Sequence, residues 1–339
     1  MARAPANPRV RAAGLGFGTA PIGNLYAAVD EADAQATLAR ALHLGIRYFD
    51  TAPYYGHGLA ERRLGRALAG RARDGFVVST KVGRVIEDAP ERDEATIDGF
   101  AIHGSRAVFD YSRDGVQRSF EASLRRLGLD HVDMLFLHDV GQLTHGARHR
   151  EMLRQALDEA LPAMAALRDA GAVDAIGVGV NEVAVCEELL PRFRLDCIML
   201  AGRYTLFEQQ GALALLDAAA RRHVRVIVAG PYNSGLLGDP HGPGRTYDYA
   251  EAGPDVLARA ERIYATCAAD GVDVGAAALQ FPSAHPAVCA VVAGLRSVAE
   301  VEGALARSSQ RLPAALWGNL QVAGIIAAAA PVPVDGAGA

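Results

Sequence analysis

Ile46-Arg47-Tyr48-Phe49-Asp50-Thr51-Ala52-Pro53-Tyr54-Tyr55-Gly56 is the stretch on which the reading of the fold turns. Its first four residues, rich in branched and aromatic side chains, suit a short β-strand. Asp50 stands where that strand should end, and Pro53 and Gly56 mark a turn with two tyrosines inside it. A carboxylate and a phenol delivered from a strand end into a loop resemble a catalytic edge. Aspartate also caps turns, however, and tyrosines commonly bridge core and surface. These residues alone leave the two readings level.

Outward from this stretch the chain alternates short β-branched runs with longer helical patterns. The runs fall at 14–18, 46–49, 76–80, 132–137, 175–180, 197–200, 224–228 and 288–292. Helical patterns follow at 31–41 behind Asp30, 59–69, 114–127, 151–170 (kinked at Pro162), 183–190, 209–222, 254–269 and 298–306. Strands that alternate with helices predict a parallel sheet, because parallel neighbours need crossover connections. Their near-continuous apolar character fits strands covered on both faces. Eight such units are best satisfied by a single-domain (β/α)8 TIM barrel, whereas a doubly wound sheet uses fewer strands and needs a topological switch point. Residues 1–310 are expected to form the barrel. Residues 311–339 then supply a docking segment, apolar over 322–330, and a flexible tail over 331–339. Two insertions, 84–110 and 139–149, follow the third and fourth strands and belong on the C-terminal face, where barrel active sites are built.

Composition narrows the partners. Half of the 339 residues are hydrophobic, 22% are charged and the net charge is −5. Nothing electrostatic favours nucleic acid, and Arg62-Arg63, Arg125-Arg126 and Arg221-Arg222 read as solvated helix faces. Cys186, Cys197, Cys267 and Cys289 lack metal spacing and fit a reducing cytosol. Met1-Ala-Arg-Ala-Pro lacks a secretory apolar region, and no apolar run reaches the roughly 18 residues that span a bilayer. The expectation is a cytoplasmic monomer or small homo-oligomer acting on a small molecule, with no nucleic acid or membrane partner.

Strand ends on one rim bring Asp50, Tyr55, Lys81 and His138 together. Tyrosine alone titrates near ~10. A nearby ammonium favours the phenolate, and a carboxylate holds that ammonium charged and oriented. A histidine alongside can fix a substrate oxygen, so the four form a device for moving a proton to or from an alcohol or carbonyl oxygen. Taken singly, Lys81 is a rim lysine and His138 a satisfied core histidine. Their joint appearance at successive strand ends favours the chemical reading. The glycines of Gly14-x-Gly16-x-Gly18 do not make a dinucleotide fingerprint, since the spacing is wrong and Pro21 and Gly23 extend a loop before any helix. They suit close approach of backbone or cofactor instead.

Four motifs then resemble the aldo-keto reductase family: Asp50-Thr-Ala-x-x-Tyr55-Gly56, Ser79-Thr80-Lys81-Val82-Gly83, Asp133-Met-Leu-Phe-Leu-His138 and Ile176-Gly-Val-Gly-Val-Asn181. The resemblance covers roughly residues 10–310 in order. Three further stretches, 54–61, 200–206 and 230–235, are similar to the D-threo-aldose 1-dehydrogenase (L-fucose dehydrogenase) branch, with L-galactose and pyridoxal 4-dehydrogenases as relatives. The resemblance implies Tyr55 as general acid/base, tuned by Lys81 and Asp50, with His138 orienting the substrate. Asn181 would hold the nicotinamide carboxamide. Gly18, Thr19, Gly230, Pro231, Asn233, Gly235, Leu236, Gly294 and Arg296 would line the rest of the cofactor path. Small Ala229 or Gly230 replaces the aromatic that usually stacks on the nicotinamide. Glu300 stands where NADP-specific members often carry a basic residue, which favours NAD while leaving NADP possible through Arg296. Leu25, Phe109, Tyr111, His138 and Tyr232 would complete the substrate pocket.

The expected activity is oxidation of a cyclic hemiacetal (L-fucose, D-arabinose or L-galactose) to its lactone. Pyridoxal oxidation to 4-pyridoxolactone and general aldehyde reduction are the alternatives. His138, His145, His149 and Asp139 raise a metal-dependent hydrolase as a rival, but no H-x-H ends an early strand, and no metal is expected. A non-catalytic cofactor-binding module is the other rival.

Overall fold

The computed structural model describes residues 7–239, 246–248 and 250–334. Eight strands close into a barrel: β1 (Gly14–Gly18), β2 (Tyr48–Asp50), β3 (Val77–Val82), β4 (Val132–His138), β5 (Val173–Val180), β6 (Cys197–Ala201), β7 (Arg225–Ala229) and β8 (Val288–Gly294). Every neighbouring pair is parallel, and β8 returns to β1 in a register that sets Gly18 opposite Gly294. The (β/α)8 barrel expected from the strand–helix rhythm is the observed fold, and each strand lies within about two residues of its expected place.

Alternation along the strands sorts side chains between two cores. Tyr48, Val77, Met134, Phe136, Ala175, Cys197, Met199, Ile227, Ala290 and Val292 meet inside the barrel. Phe49, Val78, Leu135, Leu137, Ile176 and Val178 pack outward against the helices. Asp50 lies two residues beyond Tyr48, Lys81 four beyond Val77 and His138 two beyond Phe136. The period of two therefore carries all three onto the inner side at the C-terminal rim. Gly16 makes room for this interior, since a Cβ there would stand 2.7 Å from the Tyr48 ring.

Several local features depart from the sequence reading. The insertion after β3 contains an antiparallel hairpin, Arg84–Asp88 with Ser105–Phe109. The helical pattern at 151–170 divides into helix His149–Gln155, a π-helical turn Ala156–Ala160 and helix Leu161–Asp169. Pro162 has no N–H to donate and its ring crowds the carbonyl four residues back, so the turn before it widens. Helix Val274–Gln280 was not expected; nearly all of it is buried, which erases the amphipathic period. Helix Ala314–Val322 places the C-terminal docking earlier than 322–330: Leu316, Trp317 and Leu320 are buried, Val322 is 91% exposed, and Ile325 and Ile326 are buried again. Val332 also packs against the core, so the chain stays docked past Pro331; residues 335–339 of the expected tail lie outside the described residues.

The helix after the tyrosine loop, Leu59–Leu68, sits hard against helix Arg113–Leu127. A Cβ on Gly65 would lie 2.4 Å from the Leu127 carbonyl oxygen, which is backbone and cannot rotate away. Alanine in place of a helical glycine ordinarily stabilises by roughly 0.5–1 kcal/mol. Here Gly65→Ala is expected instead to destabilise by about 1–3 kcal/mol through overpacking, read as a lower denaturation midpoint with unchanged slope.

Candidate active site

The C-terminal rim surrounds a cleft of about 1570 Å³. At its floor Lys81 Nζ donates to Asp50 Oδ2 at 2.7 Å and to the Thr51 carbonyl at 2.9 Å. Ser79 donates to Asp50 Oδ1 at 2.7 Å, and its hydroxyl lies 2.9 Å from that of Tyr48. Lysine and aspartate are both almost wholly buried, so their charges persist together or not at all. Burial pushes the Asp50 carboxyl up, while Lys81 and Ser79 pull it down. Those two donors are the partners an ionised carboxylate requires when water is excluded.

Tyr55 stands above this pair, with Lys81 Nζ 4.6 Å from its ring centroid. The His138 ring meets it edge-on at 6.1 Å, and Tyr54 lies 6.0 Å from the same imidazole. Burial holds the Tyr55 hydroxyl well above its ordinary value, with Asp50 and Asp139 raising it further and Arg84 pulling it down. The expected lysine-driven phenolate is thus not what the protein groups alone produce. Asp50 screens the ammonium, and desolvation keeps Tyr55 a neutral phenol. His138 moves the opposite way: burial, then Arg84 and Lys81, depress it well below the usual histidine value. It is a neutral imidazole, a donor at one nitrogen and an acceptor at the other.

Backbone contacts fix the tyrosine loop. A Cβ on Gly23, at the end of the turn Pro21–Gly23 after β1, would lie 2.9 Å from the Tyr55 carbonyl carbon, and one on Gly56 would lie 2.3 Å from the Gly23 oxygen. His57 Nε2 lies 3.2 Å from Asp98 and its Nδ1 2.9 Å from the Ser105 hydroxyl, tying the loop to the β3 insertion. Glu61, fully buried, accepts from Thr80 at 2.7 Å and from Arg126 at 2.6 Å. The motif at 54–61 is therefore mostly a set of anchors.

The cleft continues past Gly18, Asn181, Gly230, Pro231, Tyr232, Asn233 and Gly235 to Gly294, Arg296 and Glu300. Arg296 N donates to Glu300 at 2.8 Å, beside the Ser297 cap of helix Val298–Ser309. Asn233 also braces the wall, accepting from Thr205 at 2.7 Å and donating to the Gly202 carbonyl at 3.2 Å.

Leu25 lines the cleft too, but four expected residues do not. Leu236 is buried in the core. Thr19 is buried just behind Gly18. Tyr111 is buried and donates its hydroxyl to the His138 carbonyl at 2.7 Å, so it supports the rim from beneath. Phe109 is exposed and covers Arg84 from outside. In their place stand Tyr26, Tyr54, Arg84, Asp98, Phe100 and Asp139. Tyr54 neighbours Tyr55 and Arg84 follows Lys81 by three residues, so adjacency to the rim was the available signal. His145 Nε2 lies 3.0 Å from the Tyr111 hydroxyl. Among the described residues no group of three or more His, Cys, Asp or Glu side chains is arranged to hold a metal ion.

Comparison with known proteins agrees with this rim. Residues 14–323 match the Aldo/keto reductase family. A pyridoxal 4-dehydrogenase from Microbacterium luteolum is 40% identical over 323 residues, 92% of this chain and 94% of that protein. A D-threo-aldose 1-dehydrogenase from Pseudomonas is 39% identical over 330 residues, 94% of this chain and 98% of that one. An L-galactose dehydrogenase from Arabidopsis thaliana is 31% identical, with 88% and 85% covered. Among solved structures, a holo-form aldo-keto reductase from Bacillus halodurans aligns with a TM-score of 0.72 at 26% identity over 95% of each chain. The matched span holds all eight barrel strands and the whole rim, and on that ground the chain belongs to the aldo/keto reductase family.

Proposed function

We propose that this oxidoreductase is an NAD-dependent dehydrogenase that converts a cyclic hemiacetal, an aldose such as L-fucose, D-arabinose or L-galactose, to its lactone. The reading is carried by the meeting of Tyr55, the Asp50–Lys81 pair and His138 in a cleft whose lining runs on past Asn181 and Gly230 to Arg296 and Glu300. Its volume exceeds the roughly 300–1,000 Å³ of ordinary small-molecule sites. Gly18, Gly230 and Gly294 leave room for close approach. The start of helix Val298–Ser309 offers backbone donors to an anionic group. Glu300, paired with Arg296, disfavours a 2′-phosphate and suits a ribose hydroxyl, hence NAD.

When bound, the oxidised nicotinamide supplies the acceptor for the hydride of the substrate carbon. His138 orients the anomeric oxygen through a ring N–H. Tyr55 removes the hydroxyl proton, and the Asp50–Lys81 pair fixes the ammonium beneath its ring. Asn181 and the small residues of the path position the cofactor. A second reading, oxidation of pyridoxal in its internal hemiacetal form, is favoured by the 40% identical relative. It asks the same steps of the same residues.

Because Tyr55 rests as a phenol, it must shed a proton before it can accept one, whereas carbonyl reduction uses the phenol directly. Oxidative kcat/KM is therefore expected to climb with pH, by about tenfold per unit at the steepest, and to be still rising at tyrosine's ordinary ~10. A plateau reached below about pH 8 would assign the proton to another acceptor. Tyr55→Phe is expected to retain cofactor binding by fluorescence quenching and to lower turnover by about 10²-fold or more. Unchanged turnover would remove Tyr55 from the reaction. Glu300→Arg is expected to raise the NADP-to-NAD ratio of kcat/KM by about tenfold, and an unaltered ratio would place Glu300 away from the ribose.

A further inference from the structure

Arg84 is the cleft residue least explained by the chemistry above. Gly83, at φ 103°, turns the chain after β3, and a Cβ there would strike the Tyr111 ring at 2.4 Å. Arg84 then opens the hairpin opposite Phe109, and its carbonyl accepts from Ser119 at 2.9 Å. Its guanidinium is sandwiched between two rings, 3.7 Å from the Tyr54 centroid and 4.5 Å from that of Phe109. One nitrogen donates to the Asp139 carboxylate, and Nε is buried with no partner. Asp139 is held as firmly. Its backbone is left-handed (φ 50°), its N–H donates to the Gly179 carbonyl at 3.0 Å, and the Tyr111 hydroxyl lies 3.1 Å from its carbonyl. The same Oδ2 that Arg84 grips lies 3.5 Å from His138 Nε2.

One carboxylate oxygen thus stands between a guanidinium and an imidazole. We propose that Arg84 is a positioning residue: by holding the Asp139 carboxylate, it keeps His138 neutral and its Nε2 available to the substrate oxygen. The inference rests on the reading of His138 as the residue that orients that oxygen. The surroundings make Arg84 the deciding partner. Facing His138 are Lys81, whose charge is paired with Asp50, the neutral phenols of Tyr54 and Tyr55, and Arg84 itself. The Tyr111 hydroxyl meets the backbone carbonyls of His138 and Asp139 and the His145 ring, and its bond to His138 is to the backbone and not to the imidazole. Glu182, the other carboxylate acting on Asp139, raises it and gives no competing cation. With Arg84 gone, the nearest donor left to Asp139 is His138 Nε2, and a shared proton there would turn the imidazole from the substrate toward the carboxylate.

The test is an NMR titration of isotopically labelled histidine in the full chain, together with NAD reduction on L-fucose and on pyridoxal. Arg84→Met keeps a flat apolar stem against Tyr54. It is expected to raise the His138 pKa from its depressed value toward the ordinary histidine range. It should also lower kcat/KM by about 10- to 100-fold, with the deficit growing as pH falls. Asp139→Asn alone is expected to move the titration the other way, leaving His138 neutral to the lowest pH the fold tolerates. Combining the two is expected to return the histidine to its low value and recover most of the lost kcat/KM, which loss of packing would not do. An unmoved His138 titration in Arg84→Met, or no recovery in the double variant, overturns the proposal. His138→Gln with full activity would instead overturn the role given to His138, and the titration would still decide the coupling to Arg84.

Discussion

A lysine and an aspartate buried against each other on the floor of the barrel set the terms for the rest of the rim. Neither charge could stay there alone: removing one partner of a buried pair typically costs about 3–5 kcal/mol, because the other is left without compensation. The barrel meets that demand with strand register. Asp50 lies opposite Ser79, two residues before Lys81 on β3, so carboxylate, hydroxyl and ammonium converge without distortion. What the pair does not do is ionise the tyrosine above it. Burial keeps the phenol protonated, and the Asp50 carboxylate raises it further.

The loops are built to hold that arrangement still. The turn after β1 presses on the backbone of Tyr55, His57 joins the same loop to the β3 insertion, and Tyr111 supports the last residue of β4 from below. The floor of the site belongs to strands and its walls to insertions. A fold of this kind accepts many substrates by changing walls alone, so the substrate has to be argued from residues such as Tyr54, Arg84, Asp98 and Phe100 and not from the barrel.

Much of this was legible in the chain. The apolar runs and their helical spacers announced a parallel barrel, and Asp50, Lys81 and His138 could be placed at strand ends by counting residues. The π-helical turn was foreshadowed by Pro162. Less legible were elements whose pattern burial had erased, such as Val274–Gln280, and residues whose role depends on contacts distant in sequence. Tyr111 read as a pocket residue because it is aromatic and near the rim, yet 27 residues on it meets the His138 carbonyl from behind. Leu236 read as cofactor-lining from its neighbours in sequence, but its side chain points into the core.

The sequence by itself determined the number and order of the strands, because hydrophobic periodicity and turn residues are local. It also determined which residue types reach the rim, because side chains alternate strictly along a strand. Strands buried on both faces carry no polar stripe to say which face is inward, so only closure of the barrel decided that Tyr48, Asp50, Lys81 and His138 share the interior. Closure likewise decided the protonation of the site. Whether Tyr55 is a phenol or a phenolate, and whether Asp139 serves Arg84 or His138, depends on desolvation and on distances of a few ångströms between segments far apart in the chain. Those exist only once the barrel has closed.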